Sequence, residues 1–234
     1  RGLGDVYKRQ IYYRKEERMV INVAHTKGGV GKSTIATNLA VIMNVPIFDL
    51  DIQKSSYYFN ELRKNNKKPA LVVYPGKTEK DLDLLDEYAE NPKKHIIIDS
   101  GGMDNDLHRI AVLMSDLIIT PVGISQVELL GLENFYNILD KSKIDKSKDF
   151  VLLNDISMRS IKDIAACKEL IKNEFKLNLF KTTIGTRKLF KDAFAEGKSV
   201  VEKNKNSLAS EEIRNLVKEI KSILKIGRRK YNGI

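Results

Sequence analysis

A glycine-rich segment between an apolar run and an amphipathic run restricts the fold of this chain more than any other feature. Residues 20–24 are mostly apolar and β-branched, which predicts a buried strand. Residues 25–34 contain three glycines and include Gly31-Lys32-Ser33, and residues 33–44 then predict a helix. A strand, a glycine turn and a helix in this order are typical of a loop that binds phosphate groups.

The chemistry of such a loop accounts for the residue types in it. Glycines let backbone N–H groups turn inward toward phosphate oxygens, and the following helix adds the positive end of its dipole. Lys32 is expected to neutralise the β- and γ-phosphates, and the Ser33 hydroxyl to bind Mg²⁺. The common pattern Gly-x-x-x-x-Gly-Lys-Ser/Thr lacks its first glycine here and holds from Gly31 onward. A glycine turn without a ligand is the alternative, and the coincidence of all these features disfavours it.

The rest of the chain alternates between short apolar runs and amphipathic runs. Strands are predicted at 20–24, 46–50, 70–74, 95–99, 117–121, 150–154 and 182–184. Helices are predicted at 33–44, 78–90, 104–114, 127–139, 161–175, 189–195 and 210–225. This alternation is typical of βαβ units. We therefore predict an α/β fold with a mostly parallel twisted sheet and helices on both faces.

Composition and cysteine content exclude several classes of protein. Hydrophobic residues make up 42% of the 234 residues, which is enough to build a core. Cys167 is the single cysteine, so one chain cannot form an internal disulfide, a cysteine-based metal cage or an iron–sulfur cluster. No apolar run approaches the roughly 20 residues of a transmembrane helix. We therefore expect a reduced, cytoplasmic protein.

The positive charge of the chain lies at its two ends. The 41 Lys and Arg exceed the 31 Asp and Glu by 10; residues 1–18 contribute +3 and residues 203–234 contribute +6, which leaves +1 for residues 19–202. Such ends indicate either a basic surface that favours solubility or a polyanionic partner, and composition does not separate the two. We divide the chain into a basic N-terminal extension (1–18), a single domain (19–226) and a basic C-terminal tail (227–234).

Residues 27–34, Lys-Gly-Gly-Val-Gly-Lys-Ser-Thr, resemble the deviant Walker A motif of the ParA/MinD ATPases. The resemblance implies a P-loop ATPase that binds ATP and Mg²⁺ and in which two protomers enclose two ATP molecules face to face. It implies that Lys32 acts within its own protomer and that Lys27 reaches the partner's phosphates as an arginine finger would. The loop residues that it implies for nucleotide binding are Gly28, Gly29, Val30, Gly31, Lys32, Ser33 and Thr34.

An acidic strand end after the loop extends the resemblance. Residues 48–55 are similar to the family's Asp-x-Asp-Pro-Gln stretch, with Ile52 where proline is usual. By position, Asp51 is implied to orient the attacking water, and Asp49 to support Mg²⁺ and the switch. Capping of the strand end by these two acids is the alternative.

Two further strand ends continue the resemblance to the ParA/MinD ATPases. Residues 96–102 resemble Walker B and its switch loop. The resemblance implies that Asp99 holds Mg²⁺ through a water and that Gly101 and Gly102 let the backbone approach the γ-phosphate. Asn154 ends a strand where the family has an asparagine that contacts adenine, and a simple turn residue is the alternative there.

The Gly-Gly after Asp99 resembles a small-plasmid and conjugation-associated branch of ParA. The resemblance implies a Mg²⁺-dependent ATPase with weak basal activity that partitions DNA. The ATP-bound homodimer would bind DNA nonspecifically on the nucleoid, and a ParB-like centromere-binding protein would stimulate hydrolysis. The DNA-binding residues that we infer are Arg187, Lys188 and Lys191, with added phosphate contacts from Arg228, Arg229 and Lys230. A solvated basic face is the alternative for each of them.

A MinD-like, membrane-associated ATPase that positions other machinery is the alternative function. Its mark would be an amphipathic C-terminal helix. The predicted last helix does carry an apolar stripe beside lysines, formed by Ile213, Leu216, Val217, Ile220, Ile223 and Leu224. We favour packing of this stripe on the core, so a membrane partner is not expected.

Overall fold

The computed structural model describes residues 19–90, 94–102, 105–141 and 143–231. In this part of the chain seven parallel strands form one sheet in the order β3-β2-β4-β1-β5-β6-β7. The strands are β1 (Met19–Val23), β2 (Ile47–Asp49), β3 (Val73–Pro75), β4 (His95–Asp99), β5 (Leu117–Val122), β6 (Asp149–Ile156) and β7 (Asn178–Gly185). The predicted α/β fold is therefore confirmed, whereas the predicted extension, residues 1–18, lies outside the described residues.

Nine α-helices connect and cover these strands within the described ranges. They are α1 (Lys32–Met43), α2 (Ser55–Asn65), α3 (Asp83–Glu90), α4 (Asp106–Met114), α5 (Gln126–Lys141), α6 (Ile161–Glu169), α7 (Lys188–Ala195), α8 (Val200–Lys203) and α9 (Leu208–Tyr231). A π-helical turn, Leu170–Glu174, continues α6, and short 3₁₀ turns precede α3 and β6. The helix α9 runs past the predicted end at residue 225 and so includes the first part of the predicted basic tail.

Helices cover both faces of the sheet, which explains why the strands are continuous apolar runs. Ile21 and Val23 of β1 pack on one face with α1 and α9, whereas Val20 packs on the other face with α3 and α4. A third cluster joins β5 and β6 to α5 and α6.

The apolar stripe of α9 is part of the core. Ile213, Leu216 and Ile220 have no exposed surface, and Val217 is almost completely buried. Ile223 and Leu224 are partly buried against the same cluster. The prediction that this stripe packs on the core is confirmed. None of the helices in the described residues combines the length and the apolar character needed to span a bilayer.

The helix α2 is the main element that the sequence did not predict. Its buried side chains follow helical spacing, but they are Ser56, Phe59, Asn60 and Arg63. Only one of these four is apolar, so the buried face of α2 produces no periodic pattern of hydrophobic residues in the sequence. The third strand also begins later than predicted and ends at Pro75. Proline has no backbone N–H to donate, and β3 tolerates it because the outer side of an edge strand has no neighbouring strand to receive such a bond.

Asp149 is a buried carboxyl group far from the glycine loop in sequence. It has no exposed surface, and one oxygen accepts a hydrogen bond from Thr120 Oγ1 at 2.8 Å. The other oxygen and the buried Tyr136 hydroxyl have no hydrogen-bond partner of good geometry among the described residues. Burial raises the pKa of Asp149 to about 7, so the folded state favours the neutral carboxyl.

We expect the variant Asp149→Asn to be more stable relative to the parent as the pH rises. The carboxyl of the unfolded chain ionises near its ordinary pKa, whereas the buried carboxyl stays protonated up to about pH 7. The free energy of unfolding of the parent therefore falls as the pH rises from about 4 to 7, by about 1 kcal/mol per pH unit. The amide stays neutral and escapes this loss. Urea unfolding of both proteins from pH 4 to pH 8 measures the difference. A difference in unfolding free energy that does not change with pH would contradict the buried neutral carboxyl.

Candidate functional site

One cavity lies at the carboxyl ends of the strands, where open α/β sheets bind their ligands. Its volume is about 890 Å³. The residues that line it come from the glycine loop, the loop after β2, the loop after β4, the end of β6, the end of β7 and helix α7. They include Gly28, Gly29, Gly31, Lys32, Ser33, Thr34, Asp51, Gly101, Gly102, Asn154, Arg187 and Lys191. The structure thus brings most of the predicted site residues to one place.

The glycine loop is held in a conformation that only glycine adopts easily. Gly29 has φ 79° and Gly31 has φ 95°, and Gly31 immediately precedes α1. A Cβ at Gly31 would also lie 2.3 Å from Asn154 Nδ2, which donates a hydrogen bond to the carbonyl of the buried Val30 at 2.8 Å. Asn154 therefore fixes the loop and lines the cavity at once. The loop and the N-terminus of α1 offer backbone N–H groups to an anion.

Lys32 supplies the positive charge inside the cavity. Its side chain is almost completely buried, and Nζ donates to the Lys27 carbonyl at 2.8 Å. Burial lowers its pKa, while Asp99 and then Asp51 oppose this effect. A buried ammonium suits a polyanionic ligand such as a triphosphate.

Asp99 lies behind Ser33 with no exposed surface. Ser33 Oγ donates to one of its oxygens at 3.2 Å, and Ser56 Oγ donates to the other at 2.7 Å. Burial raises the pKa of Asp99 to about 7, and the charge of Asp49 adds to this increase. A hydroxyl beside a carboxylate is the oxygen donor set that Mg²⁺ takes when phosphate and water complete its shell. Ser33 and Asp99 therefore fit the predicted cation.

The carboxylate of Asp49 binds backbone N–H groups, whereas that of Asp99 binds side-chain hydroxyls. Its two oxygens accept hydrogen bonds from the N–H groups of Asp51 and Tyr57, each at 3.0 Å. Burial raises its pKa although these bonds oppose the increase. Asp49 thus holds the segment that runs from Asp51 into α2, and its predicted support of Mg²⁺ and the switch stays a prediction.

Asp51 is half-buried and lines the cavity. One of its oxygens accepts the Gln53 N–H at 3.0 Å.

The loop after β4, which includes Gly101, is held by His108, a residue that the sequence did not predict. Gly101 N–H donates to His108 Nε2 at 3.1 Å, and His108 Nδ1 lies 2.7 Å from Asn105 Oδ1. Because Nε2 accepts, Nδ1 carries the proton and donates it to Asn105.

Lys27 differs from Lys32 in that it is not among the residues that line the cavity. About one third of its side chain is exposed, and Nζ lies 4.0 Å from Glu128 Oε1 on α5. Its N–H donates to His25 Nδ1 at 2.9 Å. The His25 ring is buried and stacks on Phe135, and burial together with the two lysines lowers its pKa to about 4. His25 is thus neutral at pH 7 and fixes the backbone of Lys27.

The structure places the predicted DNA-binding residues Arg187, Lys188 and Lys191 in different surroundings. Lys188 projects outward with 88% of its side chain exposed and only a distant partner, Asp192, at 3.7 Å. Arg187 instead lines the cavity and is paired with Glu212, with Nη2 at 2.6 Å from Oε1. Lys191 also lines the cavity. The side chains of Arg228, Arg229 and Lys230 lie outside the described part of the chain, so their roles stay predictions.

Comparison with known proteins agrees with this geometry. A family model described as the CobQ/CobB/MinD/ParA nucleotide binding domain matches residues 21–200. No curated protein sequence matches the chain significantly.

Several solved structures share the fold of the chain. A putative plasmid partition protein from Borrelia burgdorferi B31, bound to AMPPNP, is 22% identical, with a TM-score of 0.65 over 92% of this chain and 100% of that one. The apo McdA of Cyanothece is 17% identical, with a TM-score of 0.66 over 87% and 100% of the two chains. The MinC:MinD complex of Aquifex aeolicus is 17% identical, with a TM-score of 0.67 over 87% and 96%.

We expect Lys32→Ala to weaken the binding of Mg²⁺–ATP by roughly a hundredfold, because a buried charge that pairs with phosphate is removed. Calorimetric titration measures the change. Lys188→Ala is the matched control, since it removes the same charge from a side chain that is 88% exposed. An affinity for ATP within a few-fold of the parent in the Lys32 variant would show that the cavity does not bind the triphosphate.

Proposed function

Because this chain belongs to the CobQ/CobB/MinD/ParA family of nucleotide-binding domains, we propose that it is a Mg²⁺-dependent ATPase that dimerises with ATP and partitions DNA. The position of Lys27 carries this proposal. It is the one lysine of the loop that lies outside the cavity, and it is one-third exposed. A lysine placed in this way can act on the phosphates of a second protomer more easily than on those of its own.

Different residues of one protomer have different roles in binding and hydrolysis. Lys32 and the N–H groups of the loop bind the β- and γ-phosphates, and Ser33 with Asp99 holds Mg²⁺. Bound Mg²⁺–ATP supplies the phosphoryl group that is transferred to water. Asp51 orients that water from the cavity wall, and a ParB-like partner accelerates the otherwise slow hydrolysis.

Two observations favour DNA over a membrane as the surface that the dimer binds. The apolar stripe of α9 is buried in the core and is not available for insertion into lipid. Lys188 extends from the start of α7 with most of its side chain in solvent, as a phosphate contact requires. A MinD-like positioning role would instead require ATP-dependent binding to anionic vesicles, which cosedimentation measures.

We expect Lys27→Ala and Asp51→Ala to separate dimerisation from hydrolysis. Lys27→Ala should bind ATP as a monomer, because its target lies in the partner's site. Asp51→Ala should bind ATP and dimerise but not hydrolyse it, because only the positioning of water is lost. Light scattering with ATP and a phosphate-release assay measure the two properties. A Lys27→Ala protein that dimerises and hydrolyses normally, or a monomeric Asp51→Ala protein, would contradict the assignment.

We expect DNA binding to require ATP and to fall steeply with salt. In the ATP-bound dimer, Lys188→Ala should reduce the slope of log affinity against log salt by about 0.9 per lost phosphate contact, or about 1.8 for two protomers. The loss should be equal for all DNA sequences. Fluorescence anisotropy at several salt concentrations measures the slope.

Lys162→Ala is the control for this experiment. Lys162 is an exposed cation on α6, and α6 packs on the opposite face of the sheet from α7. Its removal should leave the slope unchanged. Equal affinity for DNA with ATP, with ADP and without nucleotide would contradict the proposed switch.

A further inference from the structure

The guanidinium of Arg187 is held in one plane by Glu212. Arg187 Nε donates to both Glu212 oxygens, at 3.1 and 3.2 Å, and Nη2 donates to Oε1 at 2.6 Å. Glu212 also accepts the Gly185 N–H at 3.3 Å, so the carboxylate ties the arginine to the end of β7. The side chains are 25% and 14% exposed, which makes this a half-buried, oriented pair rather than a loose surface contact.

One side of the guanidinium lies against the backbone of β7. A Cβ at Gly185 would stand 3.1 Å from Arg187 Nη2 and 3.3 Å from Arg187 Cζ, with Met158 Cγ at 3.2 Å. Glycine at this position therefore lets the guanidinium pack close to the strand. Arg187 also lines the cavity, as do Asn154 and Phe190. Part of the planar group thus remains available to a ligand.

The chemistry of this group fits a purine base better than a phosphate. Glu212 neutralises the charge of Arg187 and engages Nε and Nη2, which form one of the two edges through which a guanidinium binds phosphate with two hydrogen bonds. The remaining face of a guanidinium is planar and delocalised, and it stacks on aromatic rings. Phosphate binding is already provided by Lys32 and the glycine loop elsewhere in the cavity.

We propose that Arg187, oriented by Glu212, is a stacking platform for the purine base of the bound nucleotide and not a contact to DNA. This inference rests on the proposed nucleotide binding and adds a residue that contacts the base. Stacking does not read the base edge, so the platform serves adenine and guanine nucleotides alike. Glu212 is a positioning residue that acts through Arg187.

Calorimetric titration with Mg²⁺–ATP, Mg²⁺–GTP and Mg²⁺–tripolyphosphate tests the platform. We expect Arg187→Ala to weaken the binding of both nucleotides by roughly tenfold and to leave tripolyphosphate unchanged. Arg187→Lys should behave like Arg187→Ala, because it keeps the charge and loses the plane. Unchanged binding of tripolyphosphate also shows that the variant is folded at the loop. Lys162→Ala, which removes an exposed cation from α6, should bind all three ligands as the parent does.

Glu212→Ala tests the orientation of the platform. It should weaken ATP binding, and combining it with Arg187→Ala should cause little further loss, because both changes remove the same interaction. Full additivity of the two changes would overturn the role given to Glu212.

Three results would overturn the platform itself. They are parent-like ATP affinity in the Arg187 variants, an equal loss for tripolyphosphate, and loss of DNA binding at saturating ATP. Loss of DNA binding at saturating ATP would instead support the prediction from the sequence that Arg187 contacts DNA. Lys32→Ala in the same titrations separates this failure from failure of the proposed function. If Lys32→Ala loses ATP and tripolyphosphate while the Arg187 variants bind normally, only the platform is wrong; if Lys32→Ala also binds normally, nucleotide binding at this cavity is wrong.

Discussion

The carboxylate of Asp99 joins three of the elements that form the site. It lies at the end of β4, the neighbour of the central strand β1, with no exposure to water, and it accepts hydrogen bonds from Ser33 at the start of α1 and Ser56 at the start of α2. A buried carboxylate is costly unless donors or a cation surround it. Two hydroxyls meet part of that cost, and its raised pKa shows that they do not meet it fully. A divalent cation bound beside Asp99 would supply the remaining compensation.

The same constraint determines where α2 lies. Ser56 binds Asp99 and the Tyr57 N–H binds Asp49, so the start of α2 is tied to two strand ends. Farther along, the buried Arg63 donates to Glu202 and to the Gly197 carbonyl. The helix therefore connects the acidic strand ends to the segment between α7 and α8.

Much of the fold and part of the site could be predicted because their signals are local. Buried parallel strands are apolar runs, and all seven predicted strands are present in the described residues. The resemblance to the ParA/MinD family, drawn from the loop around Lys32, is confirmed by the family match. The helix α2 could not be predicted because its buried stripe is polar. His25, Ser56, His108 and Glu212 could not be predicted because their partners are set by the folded chain.

The sequence by itself determined the class of fold, the family and the position of the glycine loop, since these depend on short runs in which neighbouring residues carry the whole signal. Only the tertiary structure decided which charges are free and which are paired. Arg187 and Lys188 are adjacent cations in the sequence, yet one is held by Glu212 at the cavity and the other is 88% exposed. Lys27 and Lys32 belong to one loop, yet only Lys32 lines the cavity. The reason is that a charged side chain takes its role from its partners, and packing of distant segments chooses those partners.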